Sequence, residues 1–147
     1  MSCDTSITRS IGRTAGHRGA VRRSLSVTGP TPPALVWARY VTPGMWPGWS
    51  PQIRAVDYPH DELIGGSAGV VRGLCALAVP FEILTVDPGS RCWTWRVRPP
   101  LVGELTLRHG VEPAGPGTRT TLDVSGPAIV VAAYLPVAAI ALRRLVH

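Results

Sequence analysis

The feature that most constrains this chain is the charge-free segment at residues 127–142, which is followed by Arg143 and Arg144. Its sixteen residues are fewer than the about 20 that a transmembrane helix needs. Pro136 lies in its middle, and six of its residues are alanine, which is weakly hydrophobic. We therefore expect a buried core helix rather than a membrane span. Continued to Val146, it would be about 30 Å long, enough to cross a wide sheet.

Alternating apolar and polar residues precede this segment. The pattern predicts strands at residues 91–98, 103–112 and 118–125, and earlier strands at residues 21–28, 53–58, 68–72 and 76–87. In the strand at residues 76–87 we place Phe81 and Ile83 on one face and Glu82, Leu84 and Val86 on the other. One-sided alternation indicates that one face of the sheet is covered. Short helices are predicted at residues 34–41 and around Trp46 and Trp49.

These elements predict an α+β fold, with a curved antiparallel sheet of about seven strands around a long C-terminal helix. The length of 147 residues fits one domain, which we place at residues 21–147. Residues 1–20 carry no apolar core of a secretory signal, and we expect them to form a disordered basic tail.

The net charge of +6 is concentrated near the N-terminus, since residues 1–23 contain five arginines and one aspartate. The rest of the chain is nearly neutral, so we expect no nucleic-acid partner. Three cysteines without CxxC spacing argue against a disulfide framework or a zinc site. A cytoplasmic location is expected for such a chain.

Several stretches together resemble one family. They are Pro-x-x-Val-Trp at 33–37, Trp-Pro-x-Trp-x-Pro at 46–51, Val-Asp-Pro-Gly-Ser-Arg at 86–91, the segment 109–122 and the apolar C-terminal helix. Because these stretches occur in this order, the chain resembles the START-like (SRPBCC) superfamily, in particular its polyketide cyclase/dehydrase and lipid-transport branch. The resemblance implies the helix-grip fold, with a cavity between the sheet and the long helix. It does not specify a ligand or a reaction.

His109 is the candidate catalytic residue, because alternation places it on the covered face between Leu107 and Val111. A neutral imidazole there could orient a ligand carbonyl or act as an acid or base. The alternative is a core histidine bonded to backbone or water. Glu82 is a second candidate, but we favour the solvent face for it. The tryptophans could line a ligand cavity or simply fill the core.

We predict ligand contacts from nine residues: Trp37, Trp46, Tyr58, Phe81, Trp93, Trp95, Leu107, His109 and Tyr134. No metal and no cofactor are expected. The acidic group around His60 is interpreted as a solvated loop, because a hard-metal site needs several converging oxygens. No nucleophile motif is present.

Three functions remain open from the sequence. The first is binding of a small hydrophobic molecule such as a lipid, an isoprenoid or an aromatic polyketide-like compound. The second is a cyclase or dehydratase reaction in the same cavity, with His109 or a tyrosine as the acid–base group. The third is transient membrane contact through the apolar helix and Arg143 and Arg144. The oligomeric state is not predicted.

Overall fold

The computed structural model describes residues 20–147, and of the predicted N-terminal tail only Ala20 lies within that range. The described chain forms seven strands and three α-helices. The strands are β1 (Ala20–Gly29), β2 (Ile53–Asp57), β3 (Ala68–Gly73), β4 (Ala78–Asp87), β5 (Cys92–Val97), β6 (Leu105–Ala114) and β7 (Gly117–Pro127). The helices are α1 (Pro33–Val41), α2 (Trp46–Trp49) and α3 (Ala128–Val146). The element order predicted from the sequence is confirmed.

All seven strands join one antiparallel sheet in the order β1-β7-β6-β5-β4-β3-β2. The first strand pairs with the last, so the two edges of the sheet are β1 and β2. The long helix α3 packs on β1 and β7, and the short helices α1 and α2 cover the same side of the sheet. This is the helix-grip fold that the resemblance implied.

The inner face of the sheet carries the residues that alternation assigned to it. Trp93, Trp95 and Val97 on β5 are buried, as are Leu107 and His109 on β6. The outer face is polar, and Glu82 on β4 forms an ion pair with Arg96 at 3.6 Å. The solvent position favoured for Glu82 is therefore right.

One strand departs from strict alternation. In β4, Ile83 pairs with Trp95 and Val86 pairs with Trp93, with an irregularity between Ile83 and Thr85. Because Trp93 and Trp95 share the inner face, the extra residue returns Val86 to that face. The prediction that Val86 shares the outer face with Glu82 is wrong for this reason.

The long helix is less buried than the sequence predicts. By length and composition alone α3 could cross a membrane, and 33% of its most apolar 18-residue window is buried. Its exposed residues follow helical spacing and are apolar along most of its length: Ile129, Ala132, Ala133, Pro136 and Ile140, followed by Arg143 and Arg144. The prediction of a buried core helix is therefore right for only one face of α3.

The cysteines differ in their surroundings. Cys75 is exposed and free, whereas Cys92 is buried and disulfide-bonded. A disulfide at Cys92 was not predicted.

Candidate functional site

A cavity of about 240 Å³ lies between the inner face of the sheet and α3. Twenty described residues line it: Trp46, Trp49, Ser50, Gln52, Ile53, Val71, Leu77, Val79, Trp93, Trp95, Val97, Pro99, Leu105, Leu107, His109, Leu122, Tyr134, Ala138, Ala141 and Leu142. None of these side chains is an acid, a lysine or an arginine. The surface that they present is almost wholly apolar, which suits a hydrophobic molecule and not an ion.

An aromatic cluster forms one wall of the cavity. Trp46 on α2 stacks on Trp93, with 5.7 Å between ring centroids, and meets Trp95 edge-on at 5.2 Å. Trp46 is fixed in turn by a hydrogen bond of 2.9 Å from its indole Nε1 to the carbonyl of Tyr40. This wall is therefore rigid, since each ring is held by its neighbours.

Small residues of α3 form the facing wall. Ala138 and Ala141 are 2% and 4% exposed, and both line the cavity beside Leu142. Alanine fills little of the space between helix and sheet. Small side chains at these two positions therefore help to leave the cavity open beside the aromatic rings.

His109 is one of the few polar residues among those that line the cavity. Its ring stacks on Trp93 with centroids 4.6 Å apart and planes 13° apart, and Tyr40 contacts it at 5.1 Å. Trp95 Nε1 donates a hydrogen bond of 3.1 Å to His109 Nε2. Burial lowers the pKa of His109 to about 3, because the surrounding rings cannot solvate a cation. The imidazole is neutral at physiological pH.

Tyr40 and Tyr134 stay protonated at neutral pH. Burial raises the pKa of Tyr134 to about 12. Burial also raises the pKa of Tyr40 well above its usual value, with a smaller contribution from Tyr134 nearby. Both hydroxyls therefore remain available as donors at neutral pH.

Six of the nine residues predicted to contact a ligand line the cavity: Trp46, Trp93, Trp95, Leu107, His109 and Tyr134. The other three are placed elsewhere. Trp37 is half-buried against the core, Phe81 packs between Trp46 and Tyr58, and the Tyr58 hydroxyl bonds Ser67 and accepts from the Ile64 amide at 2.9 Å. Ligand contact by any of the nine stays a prediction.

On α3, sequence reasoning identified Tyr134 but missed the other residues of the lining. Ala138, Ala141 and Leu142 follow Tyr134 at spacings of four, seven and eight residues. That spacing is one face of a helix. Starting from Tyr134, the periodicity could have identified all three.

The family is settled by a match over all the residues that the structure describes. The family model described as polyketide cyclase / dehydrase and lipid transport matches residues 20–147. The chain belongs to this family. A comparison with curated proteins finds no significant match.

Solved structures of low sequence identity share the fold. Ara h 8.0201 is 15% identical with a TM-score of 0.72, covering 86% of this chain and 95% of that chain. Major latex-like protein 151 of Panax ginseng is 16% identical with a TM-score of 0.73, covering 87% and 96% of the two chains. A hypothetical protein of Helicobacter pylori is 14% identical with a TM-score of 0.70, covering 90% and 89%. Because the sequence identity is so low, these structures show the fold of this chain and not its ligand.

Proposed function

We propose that this protein binds a small hydrophobic molecule in the cavity between the sheet and α3. The observation that carries the proposal is the cavity itself, about 240 Å³ in volume and lined almost wholly by apolar groups. Burying apolar surface contributes about 25 cal/mol per Å² to the free energy of binding, so such a lining favours a hydrophobic ligand. The lipid, isoprenoid and aromatic polyketide-like compounds expected from the sequence are all apolar enough to bind.

The volume favours compact ligands among these. An engineered cavity of about 150 Å³ holds one benzene molecule. A space of about 240 Å³ therefore suits about two fused rings, or a short branched chain. A long lipid chain would need the cavity to widen or would extend out of it.

Proton transfer by His109 has less support. An imidazole with a pKa of about 3 is unprotonated at neutral pH, so it cannot serve as an acid, and it is a weak base. The ring hydrogen bond recorded for His109 is to Trp95, not to a carboxylate that would strengthen it as a base. These features favour an orienting role for His109 in a binding protein.

The test is a titration of the protein with naphthalene, in which binding is measured by tryptophan fluorescence and by calorimetry. Wild-type protein should bind, since Trp93 and Trp95 line the site. Ala138→Leu places a larger side chain in the cavity and should weaken naphthalene binding by about tenfold or more.

The matched control is Ala132→Leu, which makes the same change on the exposed face of α3. Its affinity for naphthalene should equal that of the wild-type protein, and circular dichroism should show both variants folded. Failure of the wild-type protein to bind, or equal affinity of a folded Ala138→Leu variant, would overturn the proposal.

A further inference from the structure

Three of the four tryptophans that line the cavity keep their indole N–H groups away from it. Trp46 Nε1 donates to the Tyr40 carbonyl at 2.9 Å, and Trp49 Nε1 donates to the Arg39 carbonyl at 3.3 Å. Trp93 Nε1 is fully buried and has no hydrogen-bond partner among residues 20–147. Because the lining is almost wholly apolar, these indoles meet the cavity with the carbon atoms of their rings.

The fourth tryptophan is paired with the histidine of the lining. Trp95 Nε1 donates a hydrogen bond of 3.1 Å to His109 Nε2, so His109 orients the indole of Trp95 and not a ligand. The other ring nitrogen, His109 Nδ1, is fully buried, and so is Gln52 Oε1. Neither atom has the accessible surface that it would need to reach a molecule in the cavity.

The lining therefore offers a ligand almost no hydrogen-bonding surface. Polar residues occur among those that line the cavity, but the surface that they turn towards it is almost wholly apolar. A hydroxyl or carbonyl group that enters this space loses its hydrogen bonds to water and gains none in return. A hydrocarbon of the same shape gives up no hydrogen bond, so it binds without this cost.

We propose that the cavity selects hydrocarbons over oxygenated molecules of the same shape. Its volume of about 240 Å³ suits a cyclic or branched hydrocarbon of about ten to twelve carbon atoms, such as a small terpene or an alkylated arene. Among the compounds considered above, isoprenoid hydrocarbons are favoured over polyketide-like rings that carry hydroxyl and keto groups. The inference rests on the proposed binding function and narrows its ligand class.

The experiment compares two probes of nearly the same shape on the wild-type protein at pH 7. They are 2,6-dimethylnaphthalene and 2,6-dihydroxynaphthalene, whose phenolic hydroxyl groups are un-ionised at this pH. The two hydroxyl groups lie at opposite ends of the molecule, so at least one of them must enter the cavity when the rings do. The dimethyl probe should bind the more tightly, and the size of the difference tests the proposal.

Hydrophobicity alone also favours the dimethyl probe, so the octanol–water partition coefficients of the two probes supply the reference. Octanol forms hydrogen bonds with a dissolved hydroxyl group, whereas a lining without polar surface cannot. The ratio of the two dissociation constants should therefore exceed the ratio of the two partition coefficients by about tenfold. A ratio no larger than that of the partition coefficients would mean that the cavity pairs the hydroxyl groups, and the proposal would be overturned.

A variant that adds one hydroxyl group to the lining should reduce this discrimination. Val97 on β5 is buried and lines the cavity, and Val97→Thr replaces one of its methyl groups with a hydroxyl group. The ratio of the two dissociation constants should then fall about fivefold. The matched control is Val27→Thr, because Val27 packs against the core and is not among the described lining residues. Its ratio should equal that of the wild-type protein, and equal ratios in the two folded variants would contradict the proposal.

The two proposals fail in different ways. Binding of both probes in the ratio that octanol predicts would remove the selection of hydrocarbons and leave the hydrophobic site standing. If neither probe binds, the binding function and its ligand class are both wrong. The wild-type comparison needs no variant, so it decides the matter even where Val97→Thr fails to fold.

Discussion

The two halves of α3 differ in how they pack, and the half that carries Arg143 and Arg144 is the more buried one. In the C-terminal half five residues are buried: Ala138, Ala141, Leu142, Leu145 and Val146. In the N-terminal half Val131 is the buried one, and Ile129 is 81% exposed. The C-terminal half is therefore fastened to the body of the protein and supplies Ala138, Ala141 and Leu142 to the cavity lining, whereas the more exposed N-terminal half supplies only Tyr134 among the described lining residues.

Contacts at the C-terminus explain the difference. The last carbonyl groups of a helix have no partner within the helix. Here the Thr31 amide donates to the Val146 carbonyl at 3.0 Å, and Arg39 Nη1 donates to the Leu145 carbonyl at 2.7 Å. Gly29 lies so close that a Cβ there would be 2.4 Å from the Val146 carbonyl oxygen. Hydropathy alone does not tell which half is anchored, because it carries no information on these partners.

The largest expected effect is a loss of stability, and it tests whether the C-terminal half of α3 is the anchored half. Leu145→Ala should lower the free energy of unfolding by about 3 kcal/mol, because Leu145 is 0% exposed and its loss leaves a cavity. Ile129→Ala, in the same helix, should change it by less than about 0.5 kcal/mol. Urea unfolding measures both variants. Similar losses in the two variants would mean that the halves do not differ in anchoring.

A second, smaller effect tests whether the packing around the cavity keeps water from His109. The pKa of His109 is about 3 in the folded protein and about 6.5 in an unfolded chain. The unfolded chain therefore binds a proton first, and stability that is complete above about pH 6.5 is lost as the pH falls towards about 3. At pH 5 the loss relative to pH 8 should be about 2 kcal/mol from this residue.

His109→Phe should remove this part of the pH dependence in urea unfolding at pH 8 and pH 5. His60→Gln is the control, since His60 is exposed, and it should behave as the wild-type protein does. A wild-type protein with the same pH dependence as His109→Phe would mean that water reaches His109 in the folded protein.

The smallest expected effect concerns the membrane contact predicted from the sequence. The exposed apolar face of α3 leads to Arg143 and Arg144, and the neighbouring loop exposes Leu101 and Val102. We expect weak, salt-sensitive sedimentation with vesicles that contain anionic lipid. Ile129→Ser should lower the partition coefficient about fivefold, equivalent to about 1 kcal/mol. Sedimentation that is unchanged in Ile129→Ser would show that the exposed half takes no part.

Much of the fold followed from local patterns. Period-two alternation placed Trp93, Trp95, Leu107 and His109 on one covered face, since successive side chains of a strand point to opposite sides. The same rule failed at Val86, where the irregularity after Ile83 changes the face. A bulge depends on the pairing of β4 with β5, which a single strand does not reveal.

The sequence by itself determined the element order, the inner face of the sheet and the family. Only the tertiary structure decided that Trp37, Tyr58 and Phe81 lie outside the cavity lining, that Ala138 and Ala141 complete it, and that Trp95 donates a hydrogen bond to His109. The physical reason is that periodicity gives the direction of a side chain within its own element. The distance between layers, and the partner across it, depend on side chains contributed by segments far apart in the chain.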